Sequence, residues 1–144
     1  MIEKDTIRLL RECDEGVKMG ISSIEDVLGS VKSDKLEKLL TDCKREHEKL
    51  NEELQQLLDK YHDDGKEPPA MATVMSEMMT KMKITMHDSD RTIADIMTKG
   101  CNMGVESLSK YLNQYKAADE VSKDIAKRLI KLEEQLAVDI RPFL

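Results

Sequence analysis

Five side chains of this 144-residue sequence could do chemistry at close quarters: Asp14, Cys43, His47, Cys101 and Glu133. Cys43 and His47 stand one helical turn apart, inside a leucine stripe that includes Leu36, Leu40, Leu50, Leu54 and Leu58. A histidine in that stripe faces an apolar core. Folding the chain about its turns sets His47 level with about Asp14 to Gly16, and Glu133 level with about Gly100 and Cys101. One mid-bundle cross-section then gathers Asp14 or Cys13, His47, Cys101 and Glu133, with Gly16, Gly20, Gly100 and Gly104 leaving space nearby.

Imidazole, carboxylate and thiolate all ligate zinc or iron. A mononuclear Fe or Zn site drawn from His47, Glu133, Asp14, Cys43 and Cys101 is therefore one expectation. The plainer reading, which we prefer, is a core histidine hydrogen-bonded to a carboxylate or hydroxyl, because a buried polar group must find a partner. No cofactor is expected on that reading. A Cys43–His47 nucleophile pair lacks an orienting group and oxyanion donors. No phosphate loop, HExxH, CxxC or nucleophile-elbow pattern occurs. Without a complete catalytic constellation, the sequence reads as a binding or assembly protein rather than an enzyme.

Composition narrows the partners. Charged residues make up 36% and the net charge is -6, with both signs interleaved and only 3% aromatics. Nucleic-acid binders carry basic patches and stacking aromatics, so no nucleic-acid partner is expected. No apolar run approaches membrane-spanning length and the N-terminal stretch lacks a signal-like apolar core. The expectation is a cytoplasmic protein with no membrane partner, whose three cysteines stay reduced.

The elements that must position these side chains are helices. Apolar residues recur with a period near 3.6, predicting one all-α domain over 1–144. A first hairpin covers about 4–61, with Gly29 as the stop of its first helix and capping-box spacing between Asp34 and Glu37. A second hairpin covers about 91–140, opened by the capping run Asp88-Ser89-Asp90 and ended by Pro142. Between them a shorter crossover helix is predicted over about 70–86. Met71, Met75, Met78, Met82 and Met86 share one side of it. Such a side either fills grooves of the bundle or serves a homo-oligomer or protein partner, since Met adapts to irregular surfaces.

Residues 16–28, GVKMGISSIEDVL, echo residues 100–112, GCNMGVESLSKYL. Gly16/Gly100, Met19/Met103, Gly20/Gly104 and Ser23/Ser107 coincide, which makes the first helices of the two hairpins counterparts. Two helical hairpins, a long crossover and this echo resemble the ferritin-like superfamily. Residues 14–21 and 98–112 are also similar to an uncharacterised bacterial branch of it, built from two α-hairpins with an extra helix between them. The resemblance implies a ferritin-like four-helix bundle with a fifth, shorter helix in the crossover. It also sets a test, because di-iron members carry one Glu on each of two helices and Glu-x-x-His on the other two. Here Glu46 is followed three places on by Lys49, and Glu133 by Leu136. Glu15 and Glu106 correspond across the repeat to Lys99 and Ser22. The standard di-iron site is missing.

Overall fold

The computed structural model describes residues 3–68, 80 and 90–144. Among these the chain is all-helical, without strands: α1 (Lys4–Leu28), α2 (Asp34–Lys60), α3 (Asp90–Gln114), α4 (Glu120–Asp139) and a closing 3-10 turn (Arg141–Phe143). The apolar period makes each helix amphipathic, and burying that face supplies most of its stability. The predicted crossover helix over 70–86, with its methionine side, lies outside the described residues.

α1 packs on α2, and α3 on α4, as two hairpins. α2 and α3 then each pack across to the other hairpin, and α1 also packs on α4. The helix ends fix the directions. At one end, the Asp90 carboxylate that opens α3 accepts the Lys32 and Ser33 amides of the α1–α2 turn. At the other, Asp5 and Thr6 of α1 accept the Ala117 and Asp119 amides of the α3–α4 turn. α1 and α3 are therefore antiparallel. The chain leaves α2 beside Arg11, near the start of α1, and enters α3 beside the end of α1. The ends of α2 and α3 that the connection joins are thus separated by the stretch of α1 from Arg11 to Leu28, about 26 Å.

Two apolar clusters fill the bundle. One holds Leu9, Leu10, Val17, Leu50, Leu54, Leu58, Leu108, Ile125 and Leu129. The other holds Ile24, Val27, Leu36, Leu40, Ile93, Met97, Leu136 and Ile140. On every helix the boundary between them falls at small or polar residues: Ser22 and Ser23 on α1, just past Gly20, His47 on α2, Gly104 on α3 and Glu133 on α4. A polar layer cuts the oily core near its middle.

Gly29 ends α1 as expected, at φ -66 and so without a left-handed conformation. The cap of α2 is Ser33, whose hydroxyl accepts the Leu36 amide, one place earlier than the Asp34–Glu37 spacing suggested. Asp90 ties down the α1–α2 turn, while Asp88 and Ser89 of the expected capping run lie outside the described residues. The left-handed residue that ends a helix is His62 (φ 56), after α2. There the His62 amide donates to the Asp59 carbonyl and the Asp63 amide to the Leu58 carbonyl, the paired bonds of a Schellman turn.

Candidate functional site

The polar layer is built from all four helices. His47 is 1% exposed. Its Nδ1 lies 2.9 Å from the Cys43 carbonyl oxygen and 3.6 Å from the Cys43 thiol, one turn back on α2. Its Nε2 lies 3.3 Å from Glu133 Oε1 on α4. Burial pulls the His47 pKa down. The Cys43 thiol, the Glu133 carboxylate and the Cys43 carbonyl together outweigh burial and raise it to about 10. At neutral pH this is an imidazolium–carboxylate pair, with both ring N–H groups donating.

Glycine is what admits the ring. A Cβ on Gly20 would lie 2.8 Å from His47 Cδ2 and Nε2, and one on Gly104 would lie 3.5 Å from the Glu133 carboxyl carbon. The thiol of Cys101 hydrogen-bonds Glu133 from α3, and burial followed by that carboxylate raises its pKa. Cys13 is pushed up to about 12 by burial, then by Glu12 and Asp14. Both thiols remain protonated and unreactive at neutral pH.

Asp14 belongs to a different centre. Its side chain is fully buried, and it accepts Gln55 Nε2 (2.7 Å), Lys18 Nζ (3.1 Å) and the Lys66 amide (3.0 Å). It anchors residues 61–68 to α1. Around it Arg11 grips Asp63 with two hydrogen bonds, Lys66 Nζ meets Glu12 (2.9 Å) and Glu15 (3.0 Å), and Lys18 also reaches Glu67. Gly65 sits at φ 75 with its α-carbon against the Asp14 carboxylate, where any Cβ would collide. The Arg11 guanidinium holds the Asp63 carboxyl below its ordinary range.

The structure therefore brings Cys43, His47, Cys101 and Glu133 together and leaves Asp14 elsewhere. The expected pairing of His47 with residues 14–16 is displaced by more than one turn. Residues 29–33 lie outside both helices and take up length, so His47 meets Gly20 while Gln55 meets Asp14. Among the described residues no three His, Cys, Asp or Glu side chains are arranged to hold a metal ion. Sequence reasoning passed over Asn51 and Gln55, which hydrogen-bond each other and extend the Cys43–His47 line down α2. Their spacing of four residues was the available signal.

Glu133 is 12% exposed on its side chain, and its outlet is a groove of about 310 Å³ between α1 and α3. The two copies of the internal echo are its walls: Gly16, Met19, Gly20 and Ser23 on one side, Gly100, Met103, Gly104 and Ser107 on the other. Leu108 and Leu129 add apolar surface, and Glu12, Glu15 and Tyr111 mark one end. Among the described residues that line the groove, which include Thr80, the acids and bases are carboxylates apart from the protonated thiol and phenol. Met103 is 69% exposed and Met19 36%, an apolar lip on each wall. The echo is thus a matched pair of small-residue faces that hold two helices apart over a carboxylate.

The profile of a family described as "Domain of unknown function (DUF2383)" matches residues 5–114, 110 of the 144 residues. The match spans α1 to α3 and ends before α4, which carries Glu133. No curated protein and no solved structure matches the chain.

Proposed function

The chain belongs to the DUF2383 family, and we propose that it is a non-enzymatic binding protein whose ligand enters the groove between α1 and α3. The carrying observation is a carboxylate, Glu133, at the foot of a mostly apolar groove that two matched Gly/Met/Ser faces wall and Glu12, Glu15 and Tyr111 close at one end. Small-molecule sites have this composition: mostly apolar walls with few polar anchors. The anchor favours a ligand with a cationic group and an apolar body.

The fold around this groove reads as ferritin-like, with two hairpins joined by a connection that runs from one end of the bundle to the other. The protein acts in the reducing cytoplasm, where free Cys13, Cys43 and Cys101 persist. Among the described residues no helix is long and apolar enough to cross a membrane.

A thermal-shift panel of small cationic, neutral and anionic amphiphiles tests the proposal, run on the wild type and on Ser107→Leu, which narrows one wall. Cationic compounds should raise the melting temperature of the wild type and leave the variant unmoved. A panel without effect, or equal shifts in both proteins, overturns it.

A second reading, a zinc or iron ion at His47 and Glu133, draws on one observation. His47 Nδ1 faces a backbone carbonyl, as second-shell bonds orient metal-binding histidines. Elemental analysis of metal-replete protein decides: stoichiometric metal would replace the groove's salt pair with a metal centre, and its absence ends this reading.

A further inference from the structure

At the polar layer each hairpin contributes one glycine and one ionisable side chain. In the first hairpin a Cβ on Gly20 would lie 2.8 Å from the His47 ring. In the second, a Cβ on Gly104, the echo counterpart of Gly20, would lie 3.5 Å from the Glu133 carboxyl carbon. Both side chains are anchored within their own hairpin, His47 by the Cys43 carbonyl and Glu133 by the Cys101 thiol. They meet where α2 packs on α4, with Nε2 3.3 Å from Oε1. At this level the hairpins are alike in layout and opposite in charge.

The rest of the seam distinguishes the hairpins weakly. The α1 and α3 walls repeat Gly, Met, Gly and Ser at matching places, and apolar contact is non-directional. The clasps at the helix ends accept backbone amides, which any turn offers. Arg128 also meets Glu53 across α2 and α4, but their side chains are 42% and 51% exposed, where an ion pair contributes little. Two first hairpins joined isologously would set one buried His47 ring against another, N–H against N–H. Two second hairpins would set one Glu133 carboxylate against another, with neither able to donate. A buried charge facing no partner is strongly destabilising, whereas apolar replacement of a whole buried pair is often neutral. Discrimination between partners is what such a pair supplies.

We propose that the His47–Glu133 pair is a pairing code: it selects the unlike hairpin and keeps two copies of this chain from joining through like hairpins. The code acts at the hairpin interface and is independent of what the groove binds.

Charge reversal in the full chain tests it. His47→Glu and Glu133→His each set like groups together within one chain, and each should lower the urea midpoint by about 1.5 M. The double variant restores an unlike pair and should recover more than half of that loss. The two single variants, one of them isotopically labelled, should form a 1:1 heterodimer in native mass spectrometry after refolding as a mixture. Exchange of hairpins between them returns an unlike pair at both crossings. Labelled and unlabelled wild type, refolded together, set the background. His47→Leu/Glu133→Leu removes the code without burying a lone charge. It should keep the helical circular dichroism and form more dimer than the wild type at equal concentration. Single variants as stable as the wild type, a double reversal no more stable than the weaker single, heterodimer at background, or an apolar double variant with no more dimer than the wild type would each overturn the inference.

Discussion

Replacing Gly20 by alanine separates the bundle's packing from its polar layer. Alanine in a helix interior is better than glycine by about 1 kcal/mol, so an alanine with room around it should stabilise. Gly100, the echo counterpart of Gly16, has nothing within 4 Å of an added Cβ, and Gly100→Ala should gain that amount. At Gly20 the added carbon falls 2.8 Å from two ring atoms of His47, against an optimal separation of about 3.5–4.0 Å. The ring has no free direction. It is buried, tied to the Cys43 carbonyl at 2.9 Å and to Glu133 at 3.3 Å. A retreat of about 0.7 Å stretches one of these bonds beyond hydrogen-bond range and strands a buried charge, at a cost of about 3 kcal/mol. Net of propensity, Gly20→Ala should be about 2 kcal/mol less stable than the wild type, and about 3 kcal/mol less stable than Gly100→Ala. With a urea slope near 2 kcal/mol/M, the two midpoints should lie about 1.5 M apart. In a His47→Ala background the penalty at Gly20 should vanish. Gly20→Ala and Gly100→Ala stabilising equally would refute a ring locked by glycine.

Other outcomes follow from the same contacts. Asp14→Asn keeps the shape and removes the charge that anchors residues 61–68. It should cost about 2–3 kcal/mol and speed hydrogen exchange at the Gly65 and Lys66 amides. The His47 pKa is raised from 6.5 to about 10 on folding. Its contribution to stability is therefore complete below pH 6.5 and lost as pH rises through about 10. The denaturation midpoints of the wild type and His47→Gln should accordingly converge between pH 6 and pH 10. His62 carries a left-handed backbone without glycine's freedom, so His62→Gly should stabilise by about 1 kcal/mol in thermal or urea melts.

The helices were legible in the sequence because a 3.6-residue apolar period over more than 20 residues admits few alternatives. α1 begins and ends where that period does. Register between helices was less legible. It depends on how residues 29–33 spend their length, and nothing in their types fixes that; hence His47 was set against Asp14 and in fact meets Gly20. His47 and Glu133 were recoverable as partners because each interrupts an apolar stripe in the same half of its hairpin. Asp14 was misplaced because its partners, Gln55 and the Lys66 amide, come from a polar position on α2 and a backbone group in a loop. Neither leaves an apolar signature. The echo was visible as a pattern, yet its use as two walls of one groove required knowing that α1 and α3 run antiparallel.

The groove itself is tested most directly by amide NMR of the ¹⁵N-labelled chain during titration with the cationic amphiphile that most raises its melting temperature. The Gly16, Gly20, Gly100 and Gly104 amides should shift together and saturate at one equivalent, with Gly29 and Gly65 unmoved. Shifts scattered over surface acids such as Glu46 and Glu52, or none at the four groove glycines, would contradict ligand binding between α1 and α3.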